Sequence, residues 1–152
     1  MSKFEELTFR RIYDFNLVPK YLLEQMPDKD YDIDRIYQYG RIFVLSPFNF
    51  LFVMTDANYV IKGILWLTID PVMEVMGINV FSVDKEYQSN GKESEARQLT
   101  YKFLKEEFPV KYSSELAQVN VHLKPIILGT TTRPEAWEKA GFKRYKRIIM
   151  EG

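Results

Sequence analysis

The chain has 152 residues, of which 46% are hydrophobic and 28% are charged, and its 21 basic residues balance 21 acidic residues. This composition is typical of one globular domain, here residues 1–152, and the balanced charge argues against nucleic-acid and membrane partners. Because the chain has no cysteine and one histidine, disulfides, cysteine nucleophiles and multi-histidine zinc sites are excluded. No apolar run reaches about 18 residues and no signal peptide is recognisable, so a soluble, cytoplasmic protein is expected.

The N-terminal part of the chain predicts a strand followed by helices and two further β-rich runs. "LTFRRIYDF" is expected to form the first strand. "VPKYLLEQM" has Pro19 near its start, where the first turn of a helix tolerates it, so a short helix is predicted. "DKDYDIDRIYQYG" predicts a second short helix or a loop. "RIFVLS" and "NFLFVMTD" are rich in β-branched and aromatic residues and are separated by Pro47.

The middle of the chain predicts an antiparallel hairpin. "TDANY" is typical of a tight turn, and "VIKGILWLTID" is predicted as the strand that follows it. Pro71 ends that strand, and "VMEVMGINVFSV" is a further long β-rich run. Two long strands joined around Asp70-Pro71 favour direct antiparallel pairing.

After Gly91 the apolar residues recur at helical spacing, and Pro109 is expected to end that helix. "AQVNVHL" alternates and predicts a short strand. "RPEAWEKAG" predicts a helix with Pro134 in its first turn and Gly141 just past its end, and "FKRYKRIIM" predicts a final strand. The order of elements indicates a mixed, mostly antiparallel sheet with helices on its faces, an α/β or α+β domain.

The polar turn between Val83 and the helix from Lys92 is the first candidate for a functional site. A helix N-terminus presents unpaired backbone N–H groups and a partial positive charge, and a glycine in the preceding turn lets an anion approach them. Gly91 lies in such a position. This pattern is also ordinary turn chemistry, so the turn alone does not identify a phosphate site.

Three segments in order resemble the landmarks of GNAT acetyltransferases. "VFSVDKEYQSNGK" is similar to the family's strand, turn and Gln/Arg-x-x-Gly-x-Gly/Ala helix start, with Gln88 and Gly91 at matching positions. "AWEKAGFKRY" is similar to the Tyr-Glu-Lys-Leu-Gly-Phe segment near the family's C-terminus. "TDANYVIKGILWL" resembles the acid-rich hairpin that precedes Ile-x-Gly.

The resemblance implies transfer of an acetyl group from acetyl-CoA to an amine that attacks the thioester directly. It places the pantetheine arm beside Phe81, Ser82 and Val83, in a splay between that strand and "AQVNVHL". It places the CoA pyrophosphate on the backbone amides of the turn, formed by Gln88, Ser89, Asn90, Gly91, Lys92 and Glu93. The acceptor, a small molecule or a protein bearing an amine, is not identified by any motif, and neither is the oligomeric state.

Glu93 departs from the family pattern, which has a small residue at this position. Its carboxylate would repel a diphosphate, yet a negative charge in the first turn of a helix is stabilising, and Arg97 lies four residues on. Two alternatives follow: Glu93 takes the place of the phosphate, or its side chain turns outward and leaves the amides free.

The residues for proton transfer are a second departure. Trp137 occupies the position of the tyrosine that protonates the leaving thiolate in the family, and an indole is no useful acid, so core packing is expected for it. Tyr145 is nearby in sequence as a candidate acid. The candidate bases are His122, on the polar side of "VNVHL", and Glu74, on the strand that leads to the turn.

Two functions therefore stand against each other. The first is a GNAT-type N-acetyltransferase, and the second is a GNAT-like domain that has lost catalysis and acts as a binding or structural module. Glu93 and Trp137 favour the second, whereas the matching Gln88-to-Gly91 half of the turn favours the first. A locally basic C-terminal segment, Lys139 to Arg147, is either a solvated edge or a surface for CoA phosphates or an acidic partner.

Overall fold

A four-stranded antiparallel sheet, in the order β1-β2-β3-β4, forms the centre of the molecule in a computed structural model. The structure describes residues 7–25, 32–72, 75–87, 92–119 and 134–142. The strands span Thr8–Arg11 (β1), Asn49–Thr55 (β2), Ile61–Asp70 (β3) and Val75–Val83 (β4). The predicted hairpin around Asp70 is confirmed, since Asp70 pairs with Val75 in antiparallel register. The α+β prediction, with a mainly antiparallel sheet flanked by helices, is also confirmed.

The helices cover both faces of the sheet. Helix α1 (Lys20–Glu24) and helix α2 (Ile33–Phe43) lie on one face, together with a 3₁₀ turn at Phe15–Leu17. The other face carries α3 (Lys92–Lys102), a π-helical segment (Phe103–Glu107), α4 (Phe108–Lys111), α5 (Ser113–Gln118) and α6 (Pro134–Ala140). Along the described parts of the chain, no helix is long and apolar enough to cross a bilayer.

Burial on both faces explains the continuous apolar run of β2, since a strand with only one buried face would alternate with polar residues. Every residue of β2 is buried. Phe50, Phe52 and Met54 belong to the cluster beneath α3, whereas Leu51 and Val53 belong to the cluster beneath α1 and α2.

The prediction of a β-rich run at "RIFVLS" is wrong, because helix α2 continues through Phe43. Asp32 caps its N-terminus by accepting a hydrogen bond from the Arg35 amide at 3.3 Å. The residues that pack on the sheet recur at helical spacing beyond Gly40, and the contact at Gly40 is so close that a Cβ atom there would lie 2.3 Å from the Phe15 ring. Packing against Phe15 therefore overrides the local β propensity.

Pro109 was expected to end the helix that begins at Lys92, and this prediction is also wrong. Helical backbone continues to Lys111, because the turn before the proline widens and the Phe108 amide bonds to the Phe103 carbonyl five residues back. A π-turn accommodates the missing amide of proline without breaking the helix.

The C-terminal predictions have mixed outcomes. Helix α6 is confirmed, with Pro134 as its first residue and Gly141 after its end at φ +123°. Ala117 and Gln118 are helical, so the strand predicted for "AQVNVHL" is wrong at its start, where Leu116 anchors α5 in the core. Val119 follows as the C-cap of α5 and is not in a strand, whereas residues 120–123 and 143–150 lie outside the described residues, and Phe142 is not in a strand.

Candidate functional site

A β-bulge in β4 decides which side chains face the candidate cofactor region. Trp66 pairs with Val80 and the adjacent Leu67 pairs with Ile78, so Asn79 is the extra residue. An extra residue reverses the alternation of side chains along a strand. Ile78 and Phe81 therefore lie on the same face, beneath α3, although they are an odd number of positions apart.

The three strand residues predicted to line the pantetheine arm consequently point to two faces. Phe81 packs against the α3 face of the sheet and Val83 is buried in the same cluster. Ser82 points the other way, toward α1, and is 6% exposed. The side chains of Phe81 and Val83 thus lie on one face of the sheet and that of Ser82 on the other, and the backbone of β4 is the part that all three share.

The hydroxyl of Ser82 is already engaged by α1. It donates a hydrogen bond to the Leu22 carbonyl at 2.6 Å and accepts one from Gln25 Nε2 at 2.9 Å. Gln25 Nε2 also donates to the Val83 carbonyl. These hydrogen bonds among Leu22, Gln25, Ser82 and Val83, which we call the α1 latch, hold α1 against the end of β4.

Tyr21 adds a second link between α1 and the end of β4. Its hydroxyl lies 2.8 Å from Asp84 Oδ2 and 3.2 Å from the Ile61 carbonyl. Burial raises the pKa of Tyr21 well above its usual range, and the hydrogen bond to Asp84 and the nearby charges of Asp84 and Glu86 raise it further. Sequence reasoning missed these contacts, and the spacing of Tyr21 and Gln25 by four residues was the one available signal.

The turn after β4 begins with a compact polar structure. The Asp84 carboxylate accepts the Glu86 amide at 3.1 Å, and the Asp84 carbonyl accepts the Tyr87 amide at 2.8 Å. This geometry forms a 3₁₀ turn at Lys85–Tyr87, which buries the Tyr87 ring in the core. Lys62 pairs with Glu86 at 2.9 Å, and the hydrogen bond to Glu86 raises the pKa of Lys62.

The strand and helix that frame the candidate phosphate turn lie where the sequence predicts them. Strand β4 ends at Val83 and helix α3 begins at Lys92. Gln88, Ser89, Asn90 and Gly91 lie outside the described residues, and of Lys92 and Glu93 only the helical backbone is described. The predicted ion pair between Glu93 and Arg97 therefore stays a prediction.

Helix α3 carries a buried cationic side chain, that of Arg97. Arg97 is 7% exposed, and its guanidinium lies 5.4 Å from the Trp137 ring and 6.0 Å from the Phe81 ring. Arg97 is five positions after Lys92, which corresponds to about 7.5 Å along a helix axis. Arg97 is therefore about one and a half helical turns from the first residue of α3.

Trp137 is a core residue, as the sequence predicts. It is 5% exposed, its ring centroid lies 4.9 Å from that of Phe81 in a T-shaped arrangement, and it also contacts Phe142 at 5.3 Å. The indole thus packs α6 against β4. Glu74, His122 and Tyr145, the candidates for base and acid, lie outside the described residues, so the structure does not test them.

The arrangement provides a helix N-terminus that follows the end of a strand, with the buried Arg97 on the same helix. Unpaired N–H groups of a first helical turn bind anions, and a neighbouring positive charge strengthens such binding. The chemistry that this geometry supports is anion binding beside an apolar wall formed by Phe81 and Trp137.

Comparison with known proteins supports the fold. No family model and no curated protein matches the sequence. Among solved structures, a mutant of the spermidine N-acetyltransferase SpeG from Vibrio cholerae superimposes with a TM-score of 0.59 at 17% identity, covering 97% of this chain and 86% of that chain. An aminoglycoside antibiotic 6′-N-acetyltransferase from Acinetobacter baumannii gives a TM-score of 0.61 at 11% identity, covering 96% of this chain and 97% of that chain. The chain therefore has the fold of the GNAT N-acetyltransferases.

Proposed function

We propose that this protein is an N-acetyltransferase that moves an acetyl group from acetyl-CoA to an amine. The observation that carries the proposal is the start of helix α3 at Lys92, with eight residues between it and the end of β4 at Val83. The fold shared with acetyltransferases supports it. At such low identity, shared fold alone does not specify an activity, so the proposal rests on the turn.

The residues around the turn fit the chemistry of CoA. The first amides of α3 offer hydrogen-bond donors to a pyrophosphate, and Arg97 adds a positive charge behind them. The backbone of β4 from Phe81 to Val83 would flank the pantetheine arm. Because the Ser82 hydroxyl is engaged in the α1 latch, Ser82 would contribute through its backbone.

Acetyl-CoA would supply an activated thioester, and the protein would position an amine for direct attack on its carbonyl carbon. A new C–N bond forms as the C–S bond breaks, the amine loses a proton and the thiolate gains one. We assign removal of the proton to His122 or Glu74, and return of a proton to the thiolate to Tyr145. The backbone amides of β4 and α3 would hold the acyl donor in place during this exchange.

Glu93 is the residue that decides how well the turn holds a diphosphate. A carboxylate about 5 Å from a phosphate charge, at an effective dielectric constant of about 20, costs roughly 3 kcal/mol. This energy corresponds to about a hundredfold loss of affinity. If the side chain points away from the turn, the cost disappears, and removing the charge leaves CoA affinity unchanged.

A titration with CoA and with acetyl-CoA tests cofactor binding. Ligand that binds only the folded state raises the melting temperature, and calorimetry gives the dissociation constant. If the Glu93 carboxylate repels the diphosphate, Glu93→Gln should tighten CoA binding by about a hundredfold. Glu95→Gln, on the same helix, serves as the matched control. The absence of any rise in melting temperature at millimolar CoA would overturn the proposal.

Release of free CoA thiol tests catalysis without background, because the chain contains no cysteine. A suitable amine panel includes spermidine and an aminoglycoside, since the names of the similar structures specify those acceptors. Amine-dependent thiol release that falls in His122→Ala or Glu74→Gln would support the base assignment. Tight CoA binding without thiol release for any amine would favour the alternative, a binding module without catalysis.

A further inference from the structure

Three aromatic rings surround the guanidinium of Arg11. Arg11 lies on β1, the edge strand at the opposite side of the sheet from β4 and the candidate cofactor turn. It is the last residue of β1, and its guanidinium lies 4.2 Å from the Phe50 ring, 4.8 Å from the Tyr13 ring and 5.5 Å from the Tyr112 ring. β1 and β4 are separated by three strand spacings, about 14 Å at ~4.8 Å each.

The guanidinium of Arg11 packs against the faces of aromatic rings, but no hydrogen-bond acceptor is found for its Nε atom among the described residues. Its Nε atom is buried without a hydrogen-bond partner, and within the described ranges its side chain makes no ion pair. Two other arginines of the chain differ. Arg10 Nε donates to Thr55 Oγ1 at 3.0 Å, and Arg41 Nε donates to Asn16 Oδ1 at 2.9 Å. A partly desolvated cation without an acceptor in the described part of the chain favours an acceptor from outside, which would approach its terminal nitrogens because Nε is buried.

The donors around Arg11 define the chemistry of such an acceptor. A guanidinium presents its N–H groups in a planar fork that matches the oxygens of a carboxylate or a phosphate. Tyr13 and Tyr112, whose rings hold the guanidinium, each carry a hydroxyl that can donate one more hydrogen bond. A tyrosine hydroxyl is protonated at neutral pH, and burial raises the pKa of Tyr112 further, while Arg11 acts in the opposite direction.

Glu115 carries a negative charge near Tyr112 that would repel an anion bound at Arg11. It lies close enough to Tyr112 to raise the pKa of that hydroxyl further. Glu115 does not pair with Arg11 in the described part of the chain, so the arginine charge is not neutralised by it. Its negative charge should weaken anion binding without abolishing it.

We propose that Arg11, Tyr13 and Tyr112 form a binding site for a small oxyanion, a carboxylate or a phosphate group, with Phe50 as its floor. The site lies on the opposite edge of the sheet from the α3 N-terminus and does not depend on acetyl transfer. Its ligand would accept from the guanidinium fork and from the tyrosine hydroxyls.

Melting curves with sodium phosphate and with sodium acetate, each against sodium chloride at equal ionic strength, test the site. At least one of the two anions should raise the melting temperature of the wild type and of the control Arg10→Gln, and the shift should be lost in Arg11→Gln. Affinity from calorimetry should fall at least about tenfold in Arg11→Gln, since a charge-assisted bidentate contact is lost. A larger response to phosphate identifies a phosphate ligand, and a larger response to acetate identifies a carboxylate ligand.

Two further variants keep the test decisive if Arg11→Gln folds poorly. Tyr112→Phe retains the ring and removes the hydroxyl, so it should weaken binding, and Glu115→Gln should strengthen it. Equal anion responses in the wild type and Arg11→Gln would refute the site. So would a wild type that responds to neither anion more than to chloride, or binding that Tyr112→Phe and Glu115→Gln both leave unchanged.

Discussion

Replacement of Ser82 by alanine tests whether the α1 latch stabilises the end of β4. The hydroxyl is buried and makes two hydrogen bonds, one donated to the Leu22 carbonyl at 2.6 Å and one accepted from Gln25 at 2.9 Å. In Ser82→Ala the Leu22 carbonyl loses this donor, while Gln25 Nε2 retains the Val83 carbonyl. The substitution removes little volume, so the lost hydrogen bonds dominate the change in the free energy of unfolding.

The expected loss follows from those two bonds. A buried carbonyl that loses its donor costs about 1–3 kcal/mol, and a second net hydrogen bond contributes about 0.5–1.5 kcal/mol. Because the amide of Gln25 is still partly satisfied, we expect a total of about 2–3 kcal/mol. For a chain of this length, that free energy lowers the melting temperature by roughly 5–10 °C.

Urea denaturation of Ser82→Ala, of Gln25→Leu and of the double variant measures both the loss and the coupling. The sum of the two single losses in the free energy of unfolding should exceed the loss in the double variant by about 1 kcal/mol. The reason is that both substitutions break the same hydrogen bond, between Gln25 and Ser82. Thr100→Ala is the control, since the buried Thr100 hydroxyl bonds only within its own helix, to the Ala96 carbonyl at 2.8 Å. A loss below about 0.5 kcal/mol, or additive losses in the double variant, would refute the latch.

Two further predictions concern Gly141 and Tyr21. Gly141→Ala should destabilise the fold by about 1–3 kcal/mol in urea denaturation, because φ is +123° and the added Cβ atom would lie 2.6 Å from the Tyr101 ring. Gly77→Ala, whose added Cβ atom would lie no closer than 3.9 Å to a neighbour, should be nearly neutral, and equal losses would contradict this explanation. Because the raised pKa of Tyr21 favours its neutral form in the folded state, its stabilising contribution is complete below the ordinary pKa of 10.0 and is lost as the pH rises above it. The difference in melting temperature between the wild type and Tyr21→Phe should thus be constant up to about pH 9 and shrink toward pH 11, whereas a constant difference would contradict the contact with Asp84.

Much of the element order follows from local sequence patterns. The continuous apolar run of β2 and the long run before Asp70 predict buried strands, and both are confirmed. Helix α6 was predictable at both ends, because Pro134 suits a first turn and Gly141 suits the positive φ after a last turn. These signals are local, so they do not depend on which elements meet in the fold.

Other elements required contacts that are distant in sequence. Helix α2 continues past Gly40 because Phe15 packs against that glycine, although the residues that follow favour a strand. The helix after Lys92 continues past Pro109 because a π-turn absorbs the missing amide. In both cases the buried face of the helix outweighs a local preference for another conformation.

For the candidate site, the sequence by itself determined that a strand ends at Val83 and that a helix begins at Lys92. Tertiary structure decided where the side chains between and around them point. The bulge at Asn79 reverses the alternation of β4, which directs Phe81 toward Trp137 and Ser82 toward α1. No local pattern encodes this reversal, because a bulge is defined by pairing with the neighbouring strand, and that pairing exists only after the chain has folded.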